Sequence, residues 1–247
     1  MWRHSARFRR SICLSLEPPA VTASQAVWLY GSHARGDAKS DSDFDVLVIE
    51  DPSVYNARVQ DVVATFRDAS ISCYSWNEIL GMAGYGSLFL HHLRLEGRPL
   101  FEDDACHGRF RRLLDELPQY KKVARDLRGF RTVLADVRRA LTRRWDDPFE
   151  LSVLGTIVRH SAILGCWMHG RPHFGRTRPV EVMAEIIGFH EDWTDFGELY
   201  RYRLYCDRRT GKEELSTVDW RTWWTRARLI VDHSERTVDG NRGEVLK

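Results

Sequence analysis

Asp43 and Asp45, one residue apart at the head of the apolar run "DFDVLVIE", are the side chains of this chain whose type and spacing best suit chemistry. Positions two apart in an extended strand leave the same face of a sheet. Two carboxylates held that way repel one another unless a positive charge sits between them. A hard divalent cation such as Mg2+ fills that role, taking one or two carboxylates together with substrate phosphate oxygens. An earlier apolar run, "AVWLY", ends in Gly31-Ser32. Glycine there lets the backbone approach closely, while the following amides and the Ser32 hydroxyl can donate to phosphate oxygens. A triphosphate laid across Gly31 and Ser32 would share its metal with Asp43 and Asp45, a constellation suited to in-line attack on the α-phosphate. The plain alternative is a solvent-facing hairpin with a polar tip and two incidental aspartates. The order of apolar strand, Gly-Ser, Arg-Gly, Ser-Asp-x-Asp and apolar strand is long and specific enough to prefer the chemical reading.

The elements that must position these residues are legible from periodicity. From about residue 20 to 103 the chain alternates strand-like and helix-like pieces. "AVWLYG" and "DFDVLVIE" read as buried strands, "ASISCYSW" as a third and "RPLFED" as a short closing one. "VYNARVQDVVATFRD" has helical spacing. "NEILGMAGYGSLFLHHLRLEG" reads as helix broken near Gly84 to Gly86, restarting with Ser87 as N-cap. Such alternation predicts a small α/β sheet with helices packed against it. Beyond residue 104 the strand signals fade and amphipathic helical patterns follow, separated by breakers at Pro118, Asp146, Gly170, Arg176 and Arg208. The expected organisation is therefore a leader or helix over 1–20, a mixed-sheet α/β (α+β) domain over 21–104 and an all-α helical bundle over 105–247, the bundle forming one wall of an acceptor cleft.

Composition limits the alternatives. The 247 residues are 43% hydrophobic, with a mean hydropathy of -0.43, and the longest apolar runs read as too short to span a bilayer. A net charge of +2 is too mild to imply nucleic acid by itself, although arginines cluster in "GRFRRLL" and "VRRALTRRW". The five cysteines are dispersed with no C-x-x-C pair, which suits reduced thiols and a cytoplasmic location without membrane association. The basic start is compatible with a transit peptide, but a loosely ordered leader or first helix is the plainer reading.

The stretch "GSHARGDAKSDSDFDVLV" resembles the signature of the polymerase-β-like nucleotidyltransferases, in particular the minimal nucleotidyltransferase branch. The likeness is strong over 27–49 and weaker through "GSLFLHHLRLEGRPLFED". It implies transfer of a nucleoside monophosphate, commonly AMP from ATP, to a hydroxyl with Mg2+ and release of pyrophosphate. The acceptor is left open among a small molecule, a protein and an RNA. Carried over by position, Gly31 and Ser32 hold the triphosphate and Asp43 and Asp45 ligate the metal. Arg35 and Ser42 also match the nucleotide-binding pattern. Active relatives place a third carboxylate on the next core strand, where it helps deprotonate the acceptor. Here that strand carries Ser70 and Ser72, with Asp68 and Glu78 flanking it. A catalytically attenuated binding module, antitoxin-like or regulatory and with a protein partner, is the alternative.

The helical half resembles, more loosely, the bundle following the catalytic domain in antibiotic-modifying nucleotidyltransferases, and bundles of the HEPN type. Arg228 and His233 have the spacing of the HEPN ribonuclease pattern, with Leu229 where a polar residue is usual. That makes RNA cleavage the weakest of the three readings. His91 and His92 point about a quarter turn apart on a helix and read as a satisfied or exposed pair rather than metal ligands. "HGRPHFGR" reads as a polar loop, and Trp220, Trp223 and Trp224 as packing.

Overall fold

The computed structural model describes residues 25–38, 42–50, 57–66, 69–102, 106, 108–189 and 193–244. The expected leader over 1–20 lies outside them. The chain divides into two compact units that meet in sequence between Lys121 and Lys122.

The N-terminal unit is built on a four-stranded mixed sheet of order β3-β2-β1-β4. Strand β1 (Ala26–Tyr30) runs antiparallel to β2 (Asp45–Ile49) and to β4 (Arg98–Glu102), while β3 (Ser70–Tyr74) runs parallel to β2. Period-two alternation sorts the side chains between two faces. Ala26, Trp28, Tyr30, Leu47 and Ile49 face one way, against Ile79 of α3 (Trp76–Gly84), Leu90 and Leu93 of α4 (Leu88–Glu96), and Phe110 and Leu114 of α5 (Arg109–Asp115). Val27, Val46 and Val48 face the other way, against Val59 of α2 (Ala57–Ala64). A five-residue helix, α1 (Gly31–Arg35), follows β1 directly. Between α3 and α4 the chain breaks where expected: Gly86 has a φ of 64°, and a Cβ there would lie 2.1 Å from the Pro118 carbonyl oxygen. Ser87 then caps α4, its hydroxyl accepting from the Phe89 amide at 3.3 Å.

Helix α5, expected among the later helices, packs on the sheet instead. The Phe110 ring meets Trp28 edge-on at 5.0 Å and Trp76 at 6.1 Å. The arginines of "GRFRRLL" lie beside that apolar stripe, with Arg109 over Trp76 and Arg111 over Trp28 at 4.2 and 5.1 Å.

The second unit is helical throughout its longer elements: α6 (Val123–Arg143), α7 (Pro148–Met168), α8 (Arg178–Ile187), α9 (Phe196–Cys206) and α10 (Trp220–Glu244). Asp147 caps α7 by accepting from the amides of Phe149 and Glu150, with Pro148 in the first turn. By length and composition α7 is apolar enough to cross a membrane, which corrects the expectation that every apolar run is too short. Its 67% burial gives another cause for that composition: Leu151, Leu154, Val158, Ala162 and Leu164 form the core of this unit. Trp193, Phe196 and Trp223 meet beside it, the Trp223 ring 5.3 Å from Phe196 and 6.4 Å from Trp193.

Phe110→Ala removes an aromatic anchor that is fully buried among sheet residues. The expected cost is about 3–5 kcal/mol. Hydrogen exchange should accelerate in β1 and β2 while protection of α7 stays unchanged; the reverse pattern would place α5 with the later helices.

Candidate active site

The bend after β1 is shaped by one close approach. Tyr30 is the last extended residue, and Gly31 turns with a φ of 73°. A Cβ built on Gly31 would lie 2.2 Å from Asp45 Oδ2 and 3.1 Å from its Cγ. Only glycine meets both demands, because the left-handed conformation penalises a side chain and the carboxylate fills the space it would need. Register explains the meeting, since Tyr30 pairs with Asp45 across the antiparallel ladder. Helix α1 ends after one turn at Gly36, whose φ of 83° lets its amide donate to the Ser32 carbonyl at 2.9 Å.

Asp43 lies two residues before β2 rather than inside it, yet the alternation continues through this segment. Phe44 packs with the Val46 face, and its carbonyl accepts from the Ser70 amide at 2.8 Å. Asp45 falls on the opposite face, in register with Tyr30 and Ser70. The Tyr30 phenol registers both acids. Burial first, then the field of Asp45 with a smaller part from Asp43, raises its pKa far above the ordinary value, only partly opposed by its hydrogen bond with Ser72. The two hydroxyls are 3.2 Å apart.

Ring stacking closes the loop from the other side. His33 lies flat on Phe44, with centroids 3.8 Å apart and planes 20° from parallel, and its Nε2 is 3.4 Å from the Ser42 carbonyl oxygen. Arg35 turns to α4: its Nη1 donates to Glu96 Oε2 at 2.6 Å, and its Nε lies 3.1 Å from Asp37 Oδ2. His92 Nε2 sits 2.7 Å from the same Glu96 oxygen, and the His92 ring meets Tyr30 edge-on at 5.5 Å. Burial pushes the Glu96 carboxyl up, but His92 and Arg35 outweigh it and hold the group below the ordinary carboxylate range. Sequence reasoning does not single out Tyr30, His33, His92 or Glu96 for this site. The i,i+4 spacing of His92 and Glu96 could have flagged that pair; the link to Arg35, 61 residues away, could not.

β3 brings no carboxylate to the site. Ser70 stands opposite Asp45 and Ser72 opposite Leu47. Glu78 is used locally, its Oε2 accepting from the Ser75 amide at 2.9 Å and the Ser75 hydroxyl at 3.0 Å in a capping box for α3. Asp68 lies outside the described residues. No group of three or more His, Cys, Asp or Glu that could hold a metal occurs among the described residues. Among the described residues the acids at the glycine bend are Asp43 and Asp45, a pair of the type a hard cation takes together with phosphate and water oxygens.

The remaining candidates separate. His91 Nε2 lies 3.0 Å from the Pro118 carbonyl oxygen, and burial lowers its pKa, while His92 belongs to Glu96. Arg228 turns toward Asp232 and Trp224. His233 sits against His169, their centroids 5.1 Å apart, on a direction about 140° further round the helix. The two residues of the ribonuclease pattern thus have different neighbours. Arg171 of "HGRPHFGR" pairs with Glu185 at 2.7 Å. Trp223 is core, and Trp224 donates from Nε1 to the Leu134 carbonyl at 2.8 Å.

A model of the nucleotidyltransferase domain family matches residues 10–83, a span that holds the Gly31 bend, Asp43, Asp45, β3 and most of α3. The N-terminal unit contains a nucleotidyltransferase domain, consistent with a polymerase-β-like nucleotidyltransferase followed by a helical region. Nucleotidyl transfer is the general function this family supports. Comparison with curated proteins returns no match.

Gly31→Ala should destabilise the N-terminal unit by about 1–2 kcal/mol from backbone strain alone, and further through the Asp45 clash. In an Asp45→Ala background only the strain remains, so thermal melting should show a smaller loss; equal losses in both backgrounds would contradict the close approach. The Glu96 cluster acts in acid. Its depressed folded pKa means that its stabilisation is present above the unfolded value and is lost as pH falls through the folded one. Glu96→Gln should therefore flatten the acid limb of the melting profile; an acid limb as steep as that of wild type would contradict the assignment.

Proposed function

We propose that this chain transfers a nucleoside monophosphate from a nucleoside triphosphate, with ATP and Mg2+ as the working pair, to a hydroxyl acceptor, and that it does so slowly. The observation that carries the reading is the Gly31 backbone lying against the Asp45 carboxylate inside the segment that matches the nucleotidyltransferase domain. Gly31 and Ser32 would grip the phosphates, and Asp43 and Asp45 would hold the metal. Bound there, Mg2+ would neutralise charge developing on the phosphates. Arg35 and Ser42 support the bend, one through Glu96 and the other through its carbonyl beside His33.

In the reaction the acceptor oxygen forms a bond to the α-phosphorus, the α–β bridging bond breaks, and pyrophosphate leaves with that electron pair. The acceptor proton passes to solvent water, because the described residues offer only poor bases, and the step is correspondingly slow. Ser70 and Ser72 are poor bases. The Tyr30 phenol keeps its proton because burial and the neighbouring acids raise its pKa. A general base of matched pKa contributes about 10²–10⁴-fold, which sets the scale of the attenuation. The acceptor remains one of three classes: small molecule, protein or RNA.

The serines favour one second reading, a domain that binds nucleotide or a companion protein without turnover, as an antitoxin-like or regulatory module. RNA cleavage has no support from the placement of Arg228 and His233. A cytoplasmic, membrane-free setting fits both readings.

With labelled ATP, Mg2+ and a panel of acceptors, transfer should be measurable and should fall to background in Asp43→Ala and Asp45→Ala. Ser70→Asp or Ser72→Asp should raise turnover by supplying the missing base. Calorimetric nucleotide binding with no pyrophosphate release in wild type or either serine variant would select the binding module.

A further inference from the structure

The helical unit has a basic groove between α6 and α10 that the nucleotidyltransferase reading does not use. Its volume is 680 Å3, within the range of about 300–1,000 Å3 common for ligand sites. Five arginines line it, Arg131, Arg138, Arg139, Arg143 and Arg228, and no acidic residue is part of the lining. Three of the five are neutralised from outside: Arg131 by Asp232 and Glu235, Arg139 by Asp136, and Arg228 by Asp232. Arg138 and Arg143 have no acidic partner among the described residues, so the groove keeps an unbalanced positive charge.

The floor is apolar and fixed. Leu134 and Val231 are buried, and Trp224 is held by its hydrogen bond to the Leu134 carbonyl. Arg138 lies 4.9 Å above the Trp224 ring and Arg228 5.8 Å from it. The two unbalanced arginines of α6, Arg138 and Arg143, lie five helical positions apart, about 7.5 Å along the helix, a separation that neighbouring phosphates of a flexible strand can span.

We propose that this groove binds a single-stranded nucleic acid, with the α6 arginines on its phosphates and bases packed against the Trp224 ring and the guanidinium groups beside it. Guanidinium forks match phosphate oxygens in pairs, and guanidinium planes and indole faces both accept unstacked bases. An acidic peptide would satisfy the charge but leave these planes unused. No residue of the N-terminal unit takes part, so the site stands or falls independently of nucleotidyl transfer.

The test is fluorescence anisotropy of the full chain with 5′-labelled decauridylate and decathymidylate, titrated with salt. Wild type should bind at least one strand, and Arg138→Glu/Arg143→Glu should bind it at least about tenfold more weakly with unchanged helical circular dichroism. Its log–log salt slope should flatten by about 0.7 for each phosphate that is no longer neutralised. Arg125→Glu, a charge reversal on α6 outside the groove lining, should bind as wild type does. An abasic strand of equal length should bind more weakly, and polyglutamate should compete poorly. Preference between the two strands assigns RNA or DNA. Failure of wild type to bind either, equal loss in Arg125→Glu, equal affinity for the abasic strand, or effective competition by polyglutamate would each overturn the proposal.

Discussion

The backbone of Gly31 lies so near the Asp45 carboxylate that a Cβ there would collide with it, and the proposed chemistry of the N-terminal unit depends on that approach. It follows from three local facts. The Tyr30–Asp45 register sets the height of the acid, the positive φ of Gly31 turns the chain at that height, and the one-turn helix α1 keeps the following amides close. Around the bend, side chains act as braces: His33 stacked on Phe44 from one side, and Arg35, Glu96 and His92 from the other. The field of both acids reaches the Tyr30 phenol, which is hydrogen-bonded to the Ser72 hydroxyl.

The same face explains the proposed slowness. A strand parallel to β2 sets its side chains beside those of the acids, so β3 is where a base would be useful. Among the described residues, serines occupy the two same-face positions nearest the acids, the buried phenol keeps its proton near neutral pH, and Glu78 is spent on the α3 cap.

Much of this is legible in the sequence, for physical reasons. Alternating apolar positions in "AVWLY" and "DVLVI" are strong local signals, and the Ser87 N-cap and the break at Gly86 follow from turn chemistry. Periodicity starts β2 two residues early, because the alternation persists through Asp43 and Phe44 where ladder pairing has not yet begun. Helix α5 reads with the later helices, because nothing within "RFRRLLDEL" tells which core receives Phe110 and Leu114. The apolar character of α7 is easily underread, since its hydropathy is spread over 21 residues with polar interruptions. Contacts between distant positions, such as Arg35 to Glu96 and Tyr30 to Ser72, have no local signature at all. Neither has the α6–α10 groove: Arg138 and Arg228 look like ordinary surface charges until both are found at the Trp224 ring.

The most direct measurement is a crystal structure of the chain with Mn2+ and a non-hydrolysable ATP analogue, with the metal located by anomalous scattering. The account expects a peak within coordination distance of both Asp43 and Asp45, sharing oxygens with a phosphate chain that rests on Gly31 and Ser32. Metal and nucleotide bound elsewhere, or a nucleotide at the bend whose metal touches neither acid, would contradict it.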